Sequence, residues 1–119
     1  MVQRPMLDPG VWASLRALDD DPAFLDELID LFVDDALPRA ERVRAALATG
    51  DLRAAQSAAH SIRGTAGNIG ASEVAAMATD LEHDLDAGVP VSTERGDQLH
   101  EALQRVVTAL QAKRSRPRS

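Results

Sequence analysis

The stretch AHSIRGTAGNIGA, residues Ala59 to Ala71, sets a histidine one helical turn before a glycine inside a helical pattern. Residues at i, i+4 and i+7 share one face of an α-helix. Gly64 and Gly67 therefore strip side chains from the face that carries His60. An interior glycine costs about 1 kcal/mol relative to alanine, and this chain is otherwise rich in alanine. The open face is thus read as a requirement of the histidine, whose imidazole is expected to be approached closely by another protein.

Working outward, the apolar spacing is helical nearly throughout. A short first helix is expected from Pro9 to Leu18, with Asp8 as its N-cap. Asp19, Asp20 and Asp21 precede Pro22, and carboxylates there meet the positive end of a helix dipole, so a second helix begins at that point. Its inward face is drawn through Leu25, Leu28, Ile29, Phe32, Ala36, Ala40, Val43 and Leu47, with Pro38 expected to kink but not break it. Thr49-Gly50-Asp51 closes this helix and caps the next.

The third helix is expected over Leu52 to Gly67, with Leu52, Ala55, Ala59, Ile62 and Ala66 inward, and Asn68-Ile69-Gly70 as a turn. A fourth runs from about Ala71 to Ala87 on Val74, Met77, Ala78, Leu81 and Leu85. A fifth covers Thr93 to Ala112 and buries Leu99, Leu103, Val106, Val107 and Leu110. Four substantial amphipathic helices with short links predict an all-α, antiparallel four-helix bundle preceded by a short additional N-terminal helix.

Composition fits that reading. The 119 residues make one domain, expected over residues 1–112, with 113–119 as a basic, disordered tail. Aromatics are only 3% and tyrosine is absent, so the core must be built from aliphatic side chains. The tail holds Lys113, Arg114, Arg116 and Arg118, which leaves 9 basic against 19 acidic side chains before it, a net of −10. So acidic a body argues against nucleic acid as a partner. No apolar run reaches the length of a membrane span, and the N-terminus has no apolar signal region. Cysteine is absent, which removes disulfides and thiolate metal sites and fits a cytoplasmic protein.

His60 stands about 100° around the helix from the inward Ala59, so it faces solvent. Ser57, Arg63, Gly64 and Gly67 surround it on the same wheel. Neutral imidazole is a competent nucleophile near neutral pH, and Arg63, at i+3, can neutralise an anion placed on the ring. A nucleophile, a cation and a cleared approach are what reversible phosphoryl transfer needs, since that reaction depends chiefly on alignment and charge stabilisation.

Here the chain resembles the histidine-containing phosphotransfer (HPt) family. The signature of that family is a His, two residues, a Lys or Arg and then Gly, followed by small residues ending in Asn-Leu/Ile-Gly. The likeness extends through DDDPAFLDELIDLFVDDALPRAERVRAAL upstream and LEHDL downstream, over residues 7 to 112. It implies a phosphocarrier in a His–Asp phosphorelay: His60 takes a phosphoryl group on Nε2 from a receiver-domain aspartate and passes it to another. The implied partners are the receiver of a hybrid histidine kinase or a response regulator, met as a monomer. No cofactor is implied in the chain itself, Mg²⁺ belonging to the receiver. Arg63 stands where the family more often has lysine. By its position in LEHDL, Glu82 is the candidate to bond the second ring nitrogen. Ser57, Ser61 and Gly67 are candidate partner contacts.

Two other readings are open. The dimerisation and phosphoacceptor region of a histidine kinase would carry an acidic residue after the histidine, where this chain has Ser61. A non-phosphorylated interaction module would have no need of His60 with a nearby cation. Autonomous catalysis is not expected, for the chain contains no Gly-rich phosphate loop. His83 and His100 are read as ordinary surface residues. No metal site is expected, because no His-x-x-x-His or Glu-x-x-His pair occurs. Trp12 and Phe24 are assigned to packing between helices, with an apolar docking rim near His60 as the alternative.

Overall fold

The structure, a computed structural model, describes residues 6–18 and 21–115. Five helices follow in order: α1 (Pro9–Leu18), α2 (Pro22–Thr49), α3 (Leu52–Asn68), α4 (Ser72–Asp86) and α5 (Glu94–Lys113). No strand occurs among the described residues. The helices α2 to α5 form a ring in which each packs on its two neighbours, and α1 lies outside it.

Local chemistry sets the helix ends. Asp8 Oδ1 accepts from the backbone N–H of Gly10 at 2.8 Å and caps α1, and Asp21 accepts from Ala23 N–H at 3.0 Å to cap α2. Asp19 and Asp20 lie outside the described residues. Pro38 sits inside α2 without ending it. Gly50 closes α2 in the left-handed conformation, φ 78°, which L side chains adopt only with strain. Asp51 then accepts from Ala54 N–H at 3.1 Å and starts α3.

At the far end of α3, the Gly70 N–H donates to Gly67 O at 3.1 Å and Ala71 N–H to Ala66 O at 2.8 Å. These are the paired bonds of a Schellman cap with a left-handed residue at its centre. That residue is Gly70, φ 75°, so Gly67 contributes a carbonyl to the turn and not the turn's backbone conformation.

Cross-helix polar pairs fix the directions. Between α2 and α5, Arg44 pairs with Asp97 at 2.9 Å and Arg114 with Asp30 at 3.0 Å. Ascending one helix therefore descends the other. Asp84–Arg95 and Glu73–Arg105 give the same antiparallel sense for α4 and α5. The core between them is aliphatic: Ile29, Val43, Ile62, Val74, Leu81, Leu99, Leu103, Val106 and Leu110 are all less than 2% exposed.

Unequal helix lengths shape the rest. With 28 residues against 17, α2 outruns α3, and because the two are joined at Gly50 the surplus is all at the N-terminal end of α2. The turns from Pro22 to about Phe32 extend past the end of α3 and form an overhang on that side. There α1 covers them through Trp12, the one buried residue of that helix, and the end of α5 flanks them.

Three expectations need correction. Leu52, drawn inward, is 52% exposed, because it opens α3 at the end of the bundle. The segment expected to be free from residue 113 is held instead: Lys113 completes α5, Arg114 pairs with Asp30, and Ser115 donates from its N–H and hydroxyl to Asp26 at 2.9 and 2.7 Å. Carboxylates spaced i, i+4 on α2 supply what that stretch lacked in isolation. Arg116 and Arg118 lie outside the described residues. His100 is no free surface residue either, its side chain being 15% exposed with Nε2 at 3.0 Å from Glu41. His83, by contrast, is exposed.

Candidate functional site

Helix α3 buries Ala55, Ala58, Ala59, Ile62 and Ala66, and that stripe commits its opposite face to solvent. His60 stands there with its side chain 62% exposed. Facing it from α4 is Glu82, only 17% exposed. One turn before His60, Gln56 donates to Asp86 of α4 at 3.2 Å. The two pairs lie four residues apart along each helix and run in opposite directions, as an antiparallel hairpin requires. The register of α3 on α4 therefore places Glu82 opposite His60.

Glu82 presents both oxygens to the ring, at 3.1 and 3.0 Å from Nδ1. A carboxylate accepts, so in the neutral ring this contact favours the tautomer with the proton on Nδ1 and the lone pair on Nε2. Arg63 Nη2 also lies 3.3 Å from Nδ1. Both atoms are donors in this tautomer, and the shorter, two-oxygen contact with Glu82 decides between the two descriptions. Arg63 is held instead by the same carboxylate, Nη1 to Oε1 at 3.4 Å, and the guanidinium ends beside the ring with its side chain 42% exposed.

The glycines behave as the open-face reading requires. A Cβ built on Gly64 or Gly67 meets nothing within 4 Å, so neither glycine serves a close helix contact. Gly70 differs: a Cβ there would lie 2.9 Å from Val11 Cβ, and its carbonyl accepts from Asp8 N–H at 2.7 Å. It seats α1 on the α3–α4 turn. Ser57 is exposed and Ser61 half-buried, and neither hydrogen-bonds within the His60–Glu82–Arg63 group. On the helical wheel both lie to the α2 side of His60, as Arg63 lies to the α4 side.

On that α2 side opens an apolar groove of about 800 Å³. Its walls include Leu15 and Leu18 of α1, Phe24, Leu28 and Leu31 of the α2 overhang, and Ile69 at the end of α3. Leu18 and Leu31 are 74% and 68% exposed. Phe24 thus belongs to the groove, whereas Trp12 is core. The sequence carried a signal for this: Leu31 falls outside the inward stripe of α2. Gln56 and Asp86 were also missed, although each lies four residues from a member of the central pair. No group of three or more His, Asp or Glu side chains that could hold a metal ion occurs among the described residues.

Comparison with known proteins identifies the family. The Hpt domain model matches residues 27–109, a span that contains α3, α4 and most of α2 and α5. The fold is similar to the crystal structure of histidine-containing phosphotransfer protein B from Pseudomonas aeruginosa PAO1. The TM-score is 0.85 and the identity 31%, over 98% of this chain and 100% of that one. No curated protein sequence matches. A bundle with this register, presenting a histidine on its bare face, thus belongs to the histidine-containing phosphotransfer family, whose members carry phosphoryl groups on histidine within phosphorelays.

Proposed function

We propose that His60 is the phosphoacceptor and that the protein shuttles a phosphoryl group between receiver-domain aspartates. The observation that carries this reading is the Glu82 carboxylate on Nδ1, which leaves Nε2 as the nucleophilic atom of a largely exposed ring. In the forward step the Nε2 lone pair attacks the phosphorus of a receiver's aspartyl phosphate. The N–P bond forms, the P–O bond to the aspartate breaks, and the aspartate leaves as a carboxylate. The Nδ1 proton stays on the ring, where Glu82 stabilises the cationic character that the ring gains.

Arg63 is the group that meets the negative charge of the transferring phosphoryl. It is already beside the ring, so no rearrangement of the helix is needed. Gly64 and Gly67 keep the approach clear, and Ser57 and Ser61 stand at its edge as partner contacts. The apolar groove between α1 and α2 is assigned as the receiver's foothold, since α3 supplies both its rear wall and His60. Interfaces of transient signalling encounters are small, and the groove fits such a contact.

The protein acts as a carrier and not as an autonomous catalyst, and as a monomer whose partner covers the groove. We assign magnesium, where transfer needs it, to the receiver's acidic pocket, and the protein to the cytoplasm with its receivers. No helix among the described residues is long and apolar enough to cross a membrane. The test is incubation with a phosphorylated receiver: acid-labile phosphate should appear on the intact chain and be absent from His60→Gln.

A further inference from the structure

The last described residues of the chain grip the docking groove from behind. Lys113 Nζ lies 5.4 Å from the centroid of the Trp12 ring, a cation–π contact with α1. Arg114, 11% exposed, holds Asp30 with two parallel bonds, Nε to Oδ1 and Nη2 to Oδ2, both 3.0 Å. Ser115 engages Asp26, which is 9% exposed, from both its N–H and its hydroxyl. Three consecutive residues thus tie α5 to α1 and to the overhang of α2.

Asp26 and Asp30 share one face of α2. On a wheel of about 100° per residue, Phe24, Leu28 and Leu31 lie roughly opposite them. The overhang therefore carries the groove on its front and the tie on its back. These turns are packed through Ile29 and Phe32, with Trp12 the only buried residue that α1 adds, and the tie is the polar hold on their back.

We propose that Lys113, Arg114 and Ser115 are positioning residues for receiver docking: they set the placement of α1 and the α2 overhang, and so the shape of the groove, without touching the phosphoacceptor. This rests on the assignment of the groove as the receiver's foothold. The consequence is a separation of effects. Loosening the tie weakens capture of the receiver and leaves the reactivity of His60 toward a small donor intact.

The experiment uses the full chain and the variants Arg114→Gln and Lys113→Gln. Trp12 is the only tryptophan and tyrosine is absent, so intrinsic emission reports the tie without any partner. Both variants should shift that emission to the red and expose it to acrylamide, Arg114→Gln more strongly, with helix content preserved. Transfer from a phosphorylated receiver that charges the parent protein should show an apparent KM raised about fivefold or more with kcat little changed. Labelling of His60 by phosphoramidate should stay within about twofold of the parent. The charge-reversed pair Asp30→Arg with Arg114→Asp should restore part of the loss.

An unchanged KM overturns the proposal, and so does a fall in phosphoramidate labelling in step with receiver transfer, which would mean a general loss of structure. If the parent protein took no phosphate from either donor, the assignment of His60 would fail instead. Unaltered Trp12 emission in both variants would still overturn the tie on its own.

Discussion

Nδ1 of His60 lies within 3.1 Å of both carboxylate oxygens of Glu82, 22 residues further along the chain. In the proposed transfer this relationship selects the ring nitrogen that reacts, with Glu82 as a positioning residue. Glu82→Gln keeps an oxygen that can accept from Nδ1–H and should retain most of the transfer. Glu82→Ala removes the acceptor and also releases Arg63. Its transfer rate should fall by about tenfold or more, which is about 1.4 kcal/mol of lost stabilisation. Nitrogen-15 shifts of the ring check the cause: the fraction of Nε2–H tautomer should rise in Glu82→Ala and not in Glu82→Gln.

Arg63 shares that carboxylate, Nη1 to Oε1 at 3.4 Å, so its position is set before any phosphoryl group arrives. Arg63→Ala should slow transfer by about 10- to 100-fold, with the melting temperature little changed because an exposed ion pair contributes at most about 1 kcal/mol. Arg63→Lys keeps the charge but loses the planar fork. It should fall between the two in a single-turnover assay.

The bare face predicts opposite effects on stability and on transfer. Nothing lies within 4 Å of a Cβ at Gly64, and its helical backbone has no positive φ. Gly64→Ala should therefore raise stability by up to about 1 kcal/mol. Gly64→Leu should fold equally well and block receiver transfer by covering the approach to the ring. Denaturant unfolding paired with transfer rates tests this, and full transfer by the leucine variant would contradict it.

Much of this was legible in the sequence because helical periodicity and the exposed histidine are local signals. The stripe through Ala55, Ala59, Ile62 and Ala66 turns His60 outward by geometry alone, and Asp8, Asp21, Gly50 and Asp51 mark helix ends through their own side chains or backbone. Other features depend on which residues meet across helices. Nothing local marks Asp26 and Asp30 as partners of Arg114 and Ser115, which arrive from a stretch more than eighty residues away. His100 reads as polar surface until α2 brings Glu41 to it. Leu52 sits on the apolar stripe of α3 but at its first turn, where no neighbour reaches. The groove arises from the surplus length of α2, which no single helix records.

That groove makes its own prediction. Leu18 and Leu31 are among the most exposed large apolar residues of the described chain, so Leu18→Asp or Leu31→Asp should change stability by no more than about 0.5 kcal/mol. Each should nevertheless weaken transfer from the receiver, seen as a higher receiver concentration at half-maximal rate, because a desolvated carboxylate opposes docking.

A core substitution provides the contrast. Leu103, fully buried in α5, should cost about 2–4 kcal/mol on replacement by alanine. The loss should appear as a lower midpoint of unfolding, with transfer by the folded fraction preserved.

The most direct test of the central assignment is site-resolved detection of phosphohistidine after incubation with a phosphorylated receiver, by phosphorus-31 and nitrogen-15 spectroscopy of the intact protein. The account predicts one acid-labile phosphoryl group, on Nε2 of His60, and none in His60→Gln. Phosphate on His83 or His100, on Nδ1 of His60, or persisting in His60→Gln would contradict it.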